Sequence, residues 1–340
     1  MSRIVVFGLD NVSLGEFRAE FSRGYGIVDA NTGGGMSSTI VIPDEIALQP
    51  WMQLGRMVYI EHDRLPAWAG MIDTPWDCVS PVKAAIYNAD YLLTLRTPEK
   101  KRKLTGNASA LAAALLAEAN KLEEMYVRPG LFVDVSGASH EYPLDARNLY
   151  TQFLAAAARC GAEVLLRPER DESNRLVIYF DLYDQCGVDT NFLLHDGRNG
   201  NITITAAKVD RSIINRVLGT NGAQTPLFSL PQSEPDSIET FRLRNILASF
   251  SGVKDIATLT RNARARLAAN AYPRLLIDAE IHDVGDAWLA ARPGNTVSVQ
   301  AANIYPPGMK GWRGDMRMRT INYDEKQNVL TTQLEAVYYG

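Results

Sequence analysis

The sequence predicts an α+β protein, with antiparallel β-structure at both ends of the chain and a helix-and-strand module between them. Three observations carry this. Arg56–Glu61 and Ala67–Asp73 alternate apolar and other residues around the turn chemistry of His62–Pro66, the period-2 pattern of a hairpin. Asn107–Glu124 and Asp145–Cys160 are rich in Ala and Leu with apolar residues at helical spacing. From Lys254 to Tyr339 a third helical pattern is followed by a meander of strands separated by turn residues.

The first ninety-odd residues read as β. Ser38–Ile42 is β-branched and follows the triple glycine Gly33–Gly35, which reads as a mobile loop. In Arg56–Glu61, Val58 and Ile60 share one face, with Met57, Tyr59 and Glu61 on the other. The return strand places Trp68, Gly70 and Ile72 together. Lys83–Arg96 reads as a further strand. A small antiparallel barrel or sandwich fits better than a βαβ fold.

Glu99–Lys103 (EKKRK) reads as a charged connector. Asn107 is the N-cap of the first helix, with Leu111, Leu115, Ala119 and Leu122 on its apolar stripe. The second helix carries Leu149, Phe153 and Ala157, and Gly161 ends it. Glu163–Arg167 and Arg175–Leu182 form a strand pair across the polar turn Glu169–Asn174. Strands at Ile202–Ala206 and Ile214–Gly219 follow, and Thr220–Pro235 is the linker candidate. The third helix, Lys254–Asn270, aligns Ile256, Leu259, Ala263 and Leu267 and stops at Pro273. Strands are then expected at Arg274–Ile281, Thr296–Ala301, Asp315–Tyr323 and Val329–Tyr339, with turns at Arg292–Asn295 and Asp324–Asn328 and a loop at Ile304–Trp312.

With 340 residues, 46% hydrophobic and 22% charged, the chain has material for two or three ordinary domains. A formal charge of -4 gives no global drive toward nucleic acid or anionic lipid. The apolar run Ile4–Phe7 is too short for a signal peptide or a membrane span, so synthesis in a cytoplasm is expected. Cys78, Cys160 and Cys186 are odd in number and far apart, which points to buried free thiols rather than disulfides or zinc.

No catalytic constellation emerges, and no catalytic, cofactor-binding or metal-ligating residue is assigned. Gly33–Gly35 lacks the following Lys-Ser/Thr of a phosphate loop, and HExxH, GxSxG and SxxK are absent. His62, His195 and His282 are each followed by an aspartate, but strand neighbours point to opposite faces, so these pairs do not share a metal. With His140 they read as surface or turn histidines. An acid/base pair of distant carboxylates stays open, as does a hydrolase of unfamiliar type. EKKRK is a solvated connector or, alternatively, a nucleic-acid contact. Trp51, Trp68 and Trp76 are either core and interface residues or a carbohydrate platform.

Two stretches resemble one family. Leu54–Trp76 (LGRMVYIEHDRLPAWAGMIDTPW) is similar to the N-terminal hairpin of phage tail-hub proteins, the tail-associated or baseplate hub subunits of the tail tip, with Gly55, Trp68, Gly70 and Ile72 in the family's places. Ala263–Glu335 resembles their closing block of a helix, a strand, a Pro-Gly-x-x-Val-x-Val strand, a loop and a hairpin, with Pro293, Gly294, Val297 and Val299 in that pattern. The resemblance covers about half the chain. It implies two antiparallel β-barrel domains of similar design with an inserted module. Mapped here, 1–98 with 199–225 form the first barrel, 99–198 the insertion, and 226–340 the second barrel with its preceding helix. It further implies a non-enzymatic structural subunit, without cofactor, in a homotrimeric ring of the virion tail tip. That ring joins the sixfold tail tube to the tip or receptor-binding apparatus. Tube-ring, tape-measure and tip proteins would be its partners, with no membrane insertion and nucleic acid only in passage. A receptor- or carbohydrate-binding minor tail protein is the alternative. Many relatives continue into a peptidase or lysin beyond the point where this sequence stops, so digestion of the host surface is not expected of it.

Overall fold

The computed structural model describes residues 2–28, 37–121, 123–135, 137–210, 213–250, 253–282, 285 and 290–337. The sequence-predicted loop Gly33–Gly35, Leu122, Asp283 and Tyr339 lie outside them. The chain divides into two compact units: Met1–Val188 with Ile281–Asn295 and Arg319–Thr332, and Asp189–Glu280 with Thr296–Met318 and Gln333–Gly340.

The first unit opens with strands β1 (Ser2–Phe7), β2 (Ser13–Ala19), β3 (Ser22–Gly26) and β4 (Ser37–Ile42), a one-turn helix α1 (Asp44–Ala47), and strands β5 (Met57–Glu61), β6 (Trp68–Asp77) and β7 (Val82–Asn88). Six of these strands form an antiparallel sheet in the order β2-β1-β5-β6-β7-β4. A bridge between Phe21 and Ile40 joins the chain after β2 to β4, the strand at the other end. The sheet is therefore curled so that its two ends meet.

The predicted hairpin is present, with Met57 opposite Met71 and Ile60 opposite Trp68. Both faces of this sheet are covered, which explains why Ile4–Phe7 is apolar without alternation. Ile4 and Val6 join Phe21, Ile40, Val58, Ile60, Trp68 and Ile72 on one side. Val5 and Phe7 join Met57 and Met71 on the other, in a core continued by the helical module.

The expected strand Lys83–Arg96 is corrected: after β7 the chain turns into a 3-10 helix, Ala89–Leu95. The Asn88 side chain accepts from the Ala89 amide at 2.9 Å. Tyr87 and Tyr91 stack at 4.5 Å, and Leu92 and Leu93 are both buried.

The module follows as β8 (Arg102–Gly106), α2 (Ala108–Ala119), β9 (Val127–Val133), β10 (His140–Leu144), α3 (Leu149–Arg159), β11 (Glu163–Arg170) and β12 (Leu176–Tyr183). EKKRK is thus partly strand. Asn107 caps α2 by accepting from Ala110, and Asn148 caps α3 by accepting from Thr151, both at 2.9 Å. Gly161 leaves α3 at φ +71, the left-handed exit that a side chain would strain. The strand pair β11–β12 closes through Asp171, whose carboxylate accepts from Ser173 and Arg175 at 2.9 Å. Phe153 meets Phe180 edge-on at 5.1 Å, seating α3 on the sheet β11-β12-β9.

The second unit contributes β13 (Asp189–His195), β14 (Ile202–Asp210), β15 (Arg216–Thr220), β16 (Gln232–Ser233), α4 (Pro235–Phe241), β17 (Asn245–Ser249), α5 (Ile256–Asn270), β18 (Arg274–Ile281) and β19 (Thr296–Ala301), followed by β20 (Trp312–Asp324) and β21 (Val329–Val337). The last two strands are shared, since residues 319–324 and 329–332 belong to the first unit. The order is β13-β19-β20-β21-β18-β14, and β3 pairs with residues 320–324 of β20. Asp255 caps α5 by accepting from Thr258 at 2.7 Å. The predicted linker Thr220–Pro235 is instead built structure. Asn221 donates to Leu227 at 3.2 Å, Ser229 to Gly219 at 2.8 Å, and β16 pairs with β15.

Taken as circles, the two strand orders coincide. From β1 the first runs β1-β5-β6-β7-β4-β2, and from β13 the second runs β13-β19-β20-β21-β18-β14. By rank in the sequence, each passes through its first, fourth, fifth, sixth, third and second strand. The directions do not all coincide: β1 and β5 are antiparallel, whereas β13 and β19 are parallel.

Candidate assembly surfaces

The residues singled out for chemistry do not converge. Among the described residues no group of three or more His, Cys, Asp or Glu side chains is arranged to hold a metal. His62 stacks edge-on against Tyr323 at 5.5 Å, and burial, followed by the Arg23 charge, holds its pKa below the usual value. His140 is buried in β10, which corrects its placement at the surface. Cys160 and Cys186 are buried as expected, but Cys78 is exposed. Burial pushes the Cys160 thiol up to about 11.

The three tryptophans do not form an exposed platform. Trp68 is a core residue, 3% exposed, tilted against Phe21 at 5.1 Å with its Nε1 donating to Gly24 at 3.1 Å. Trp51 and Trp76 are half-buried against the same core. The Trp51 ring lies over Gly15, where a Cβ would come within 2.6 Å of it. The EKKRK charges are largely paired: Glu99 with Lys121 at 2.5 Å, Arg102 with Glu118 at 2.9 Å, and Lys103 with Glu141.

A cavity of about 230 Å³ opens in the first unit beside Tyr25, Trp68, Arg167, Pro168, Arg292 and Pro293. Arg167 is tied to Asp181 through Nε at 2.8 Å and Nη2 at 3.2 Å, and Asp181 also accepts from the Leu131 amide at 2.7 Å. Those bonds raise the Arg167 pKa. The Tyr25 hydroxyl donates to Pro66 at 2.7 Å, and burial moves its pKa to about 12. These groups build a rigid wall. The lining includes no Ser, Cys or His that could serve as nucleophile and base.

The feature that the sequence reading missed is regional charge. Residues 213–274 hold eight basic side chains, Arg216, Arg242, Arg244, Lys254, Arg261, Arg264, Arg266 and Arg274, against the acids Glu234, Asp236, Glu239 and Asp255. That is a net +4 in a chain of -4, which leaves -8 for the remainder. Arg274 pairs with Glu335 at 3.4 Å. The other six arginines form no ion pair among the described residues. Counting charge by region rather than over the whole chain would have found this.

No protein-family model matches the sequence, and no curated protein matches it. Solved structures do. A tail protein from Neisseria meningitidis matches with a TM-score of 0.59 at 14% identity, over 98% of this chain and 96% of that one. The 43 kDa tail protein of prophage MuSo2 from Shewanella oneidensis matches at 0.58 and 12% identity, over 99% and 98%. An E. coli component of the type VI secretion system, described as structurally similar to the T4 tail proteins gp27 and gp5, matches at 0.51 and 13% identity, over 95% and 73%. The chain has the fold of these phage tail proteins. No described helix is long and apolar enough to cross a membrane.

Proposed function

We propose that the chain is a structural, non-enzymatic hub subunit of a phage-type tail tip. Three copies form a ring that joins the sixfold tail tube to the tip or receptor-binding apparatus, in contact with tube-ring, tape-measure and tip proteins. Its place is the virion tail, after synthesis in the host cytoplasm. The observation that carries this reading is the match to tail proteins over nearly the whole of both chains, with 98% and 96% covered in the Neisseria case.

The shared circular strand order supports two β-barrels of one design, separated by the helix-and-strand module. Six barrels in a trimer then present a sixfold end to the tube and a threefold end to the tip. The match in strand order does not extend to the direction of β13, so β13 is not expected to superpose on β1 when the two barrels are overlaid. The tryptophan-based carbohydrate reading finds no support, since Trp68 is held in the core.

Sedimentation and native mass measurement of the purified chain test the ring. A species of three times 37.6 kDa is expected. A chain that stays monomeric at high concentration would contradict the ring.

A further inference from the structure

The sheet β16-β15-β17 has one face packed on α5 and the other largely bare along β17. Val217, Ile246 and Ala248 pack with Ala263 and Leu267 of α5. The alternate positions point the other way. There Arg216 sits opposite Asn245 and Leu218 opposite Leu247 in the parallel register, and Leu247 is 61% exposed. The segment entering β17 adds exposed Arg242, Leu243 and Arg244. β17 is also the end strand of its sheet, so its outer edge has no partner strand among the described residues.

We propose that this face docks onto an acidic surface of a second copy of the chain and forms a subunit interface of the ring. The inference rests on the ring reading above. Charge favours this partner: Arg216, Arg242 and Arg244 are exposed at or beside this face, and each copy carries -8 outside residues 213–274, so the basic face of one copy meets net acid on the next. An interface between two different patches of one chain generates a ring when its rotation closes. Composition agrees, because seven of the eight basic residues are arginine, which interfaces favour over lysine for its planar fork and weaker hydration. The core on the covered side is small, with Val217, Ala263, Leu267 and Ala271 its buried members. Burying Leu247, with the remainder of half-buried Leu218, would add apolar area that the chain alone does not cover.

Sedimentation equilibrium of the full chain in low and high salt, with circular dichroism to verify folding, tests this. Wild type should assemble at low salt and weaken as salt rises. The pair Arg242→Glu with Arg244→Glu, and separately the exposed-site change Leu247→Ser, should each raise the dissociation constant by about tenfold or more with an unchanged spectrum. Arg261→Glu, on α5 away from the bare face, should change it less than about threefold. If wild type assembles and both β17-side variants assemble equally well, this inference is wrong and the ring stands. If wild type never assembles, the ring reading itself fails. If the double reversal abolishes duplex DNA binding while leaving assembly intact, the face serves nucleic acid and the docking proposal is overturned.

Discussion

The backbone amide of Asn201 donates to the carbonyl of His195 at 3.0 Å, although His195 ends β13 and Asn201 immediately precedes β14, the two end strands of a six-strand order. Laid flat at about 4.8 Å per strand, those ends would be about 24 Å apart. The sheet is therefore curled. Phe21 and Ile40 close the first sheet in the same way, at a different point of the same circle.

Asn201 also accepts from the His195 amide and donates to the Leu193 carbonyl, each at 2.8 Å. Asn201→Ala removes both side-chain bonds and should cost about 1 to 2 kcal/mol. Asn201→Asp keeps the acceptor and should cost less. The midpoint of urea unfolding reads the difference.

Trp68 and Gly70 share one face of β6, and a Cβ on Gly70 would come within 2.4 Å of both the Trp68 ring and the Tyr87 carbonyl. Trp68→Ala should cost about 3 to 5 kcal/mol and Gly70→Ala about 1 to 3. The double variant should fall short of the sum, because removing the ring frees part of the space for the new methyl. A double-mutant cycle in denaturant measures this, and strict additivity would show that the ring does not depend on the glycine.

Gly187 and Gly294 approach each other backbone to backbone at φ +90 and +91. A Cβ on Gly187 would lie 2.0 Å from the Gly294 carbonyl carbon, and one on Gly294 would lie 2.4 Å from the Cys186 oxygen. Gly294→Ala should therefore cost more than about 3 kcal/mol, since backbone cannot yield as a side chain can. Gly55, at φ +81 with nothing near, should cost about 1 to 2 kcal/mol as alanine. Thermal melts of the two variants compare them.

His62 has a lowered folded-state pKa, so the unfolded chain takes up a proton first as pH falls. Its contribution is present above the unfolded value of about 6.5 and is lost as pH falls through the folded value. His62→Asn should flatten the dependence of Tm on pH between about 7 and 5. An unchanged slope would assign that dependence to other groups.

Local signals made much of the fold legible. The β5–β6 hairpin, the Asn107 cap and the strands of the closing meander are each written in period and turn chemistry within about twenty residues. What stayed hidden depends on contacts remote in sequence. Nothing local marks Ile4–Phe7 as a strand with two covered faces, because the second cover is the helical module. Tyr91 looks like a continuation of the strand that holds Tyr87, until the turn at Asn88 brings the two rings together. The bare sheet face needed both a charge count by region and the β15–β17 register, which joins residues 29 apart. The Pro293-Gly294 pattern was visible, but its reason, the approach to Gly187, was not.

Cryo-electron microscopy of the native particle decides between a hub and any other place in the tail. Density is expected for three copies at the junction between the tail tube and the tip, with two superposable barrels per copy making six around the channel. Density in a sixfold stack along the tube, or on peripheral fibres, would contradict a hub.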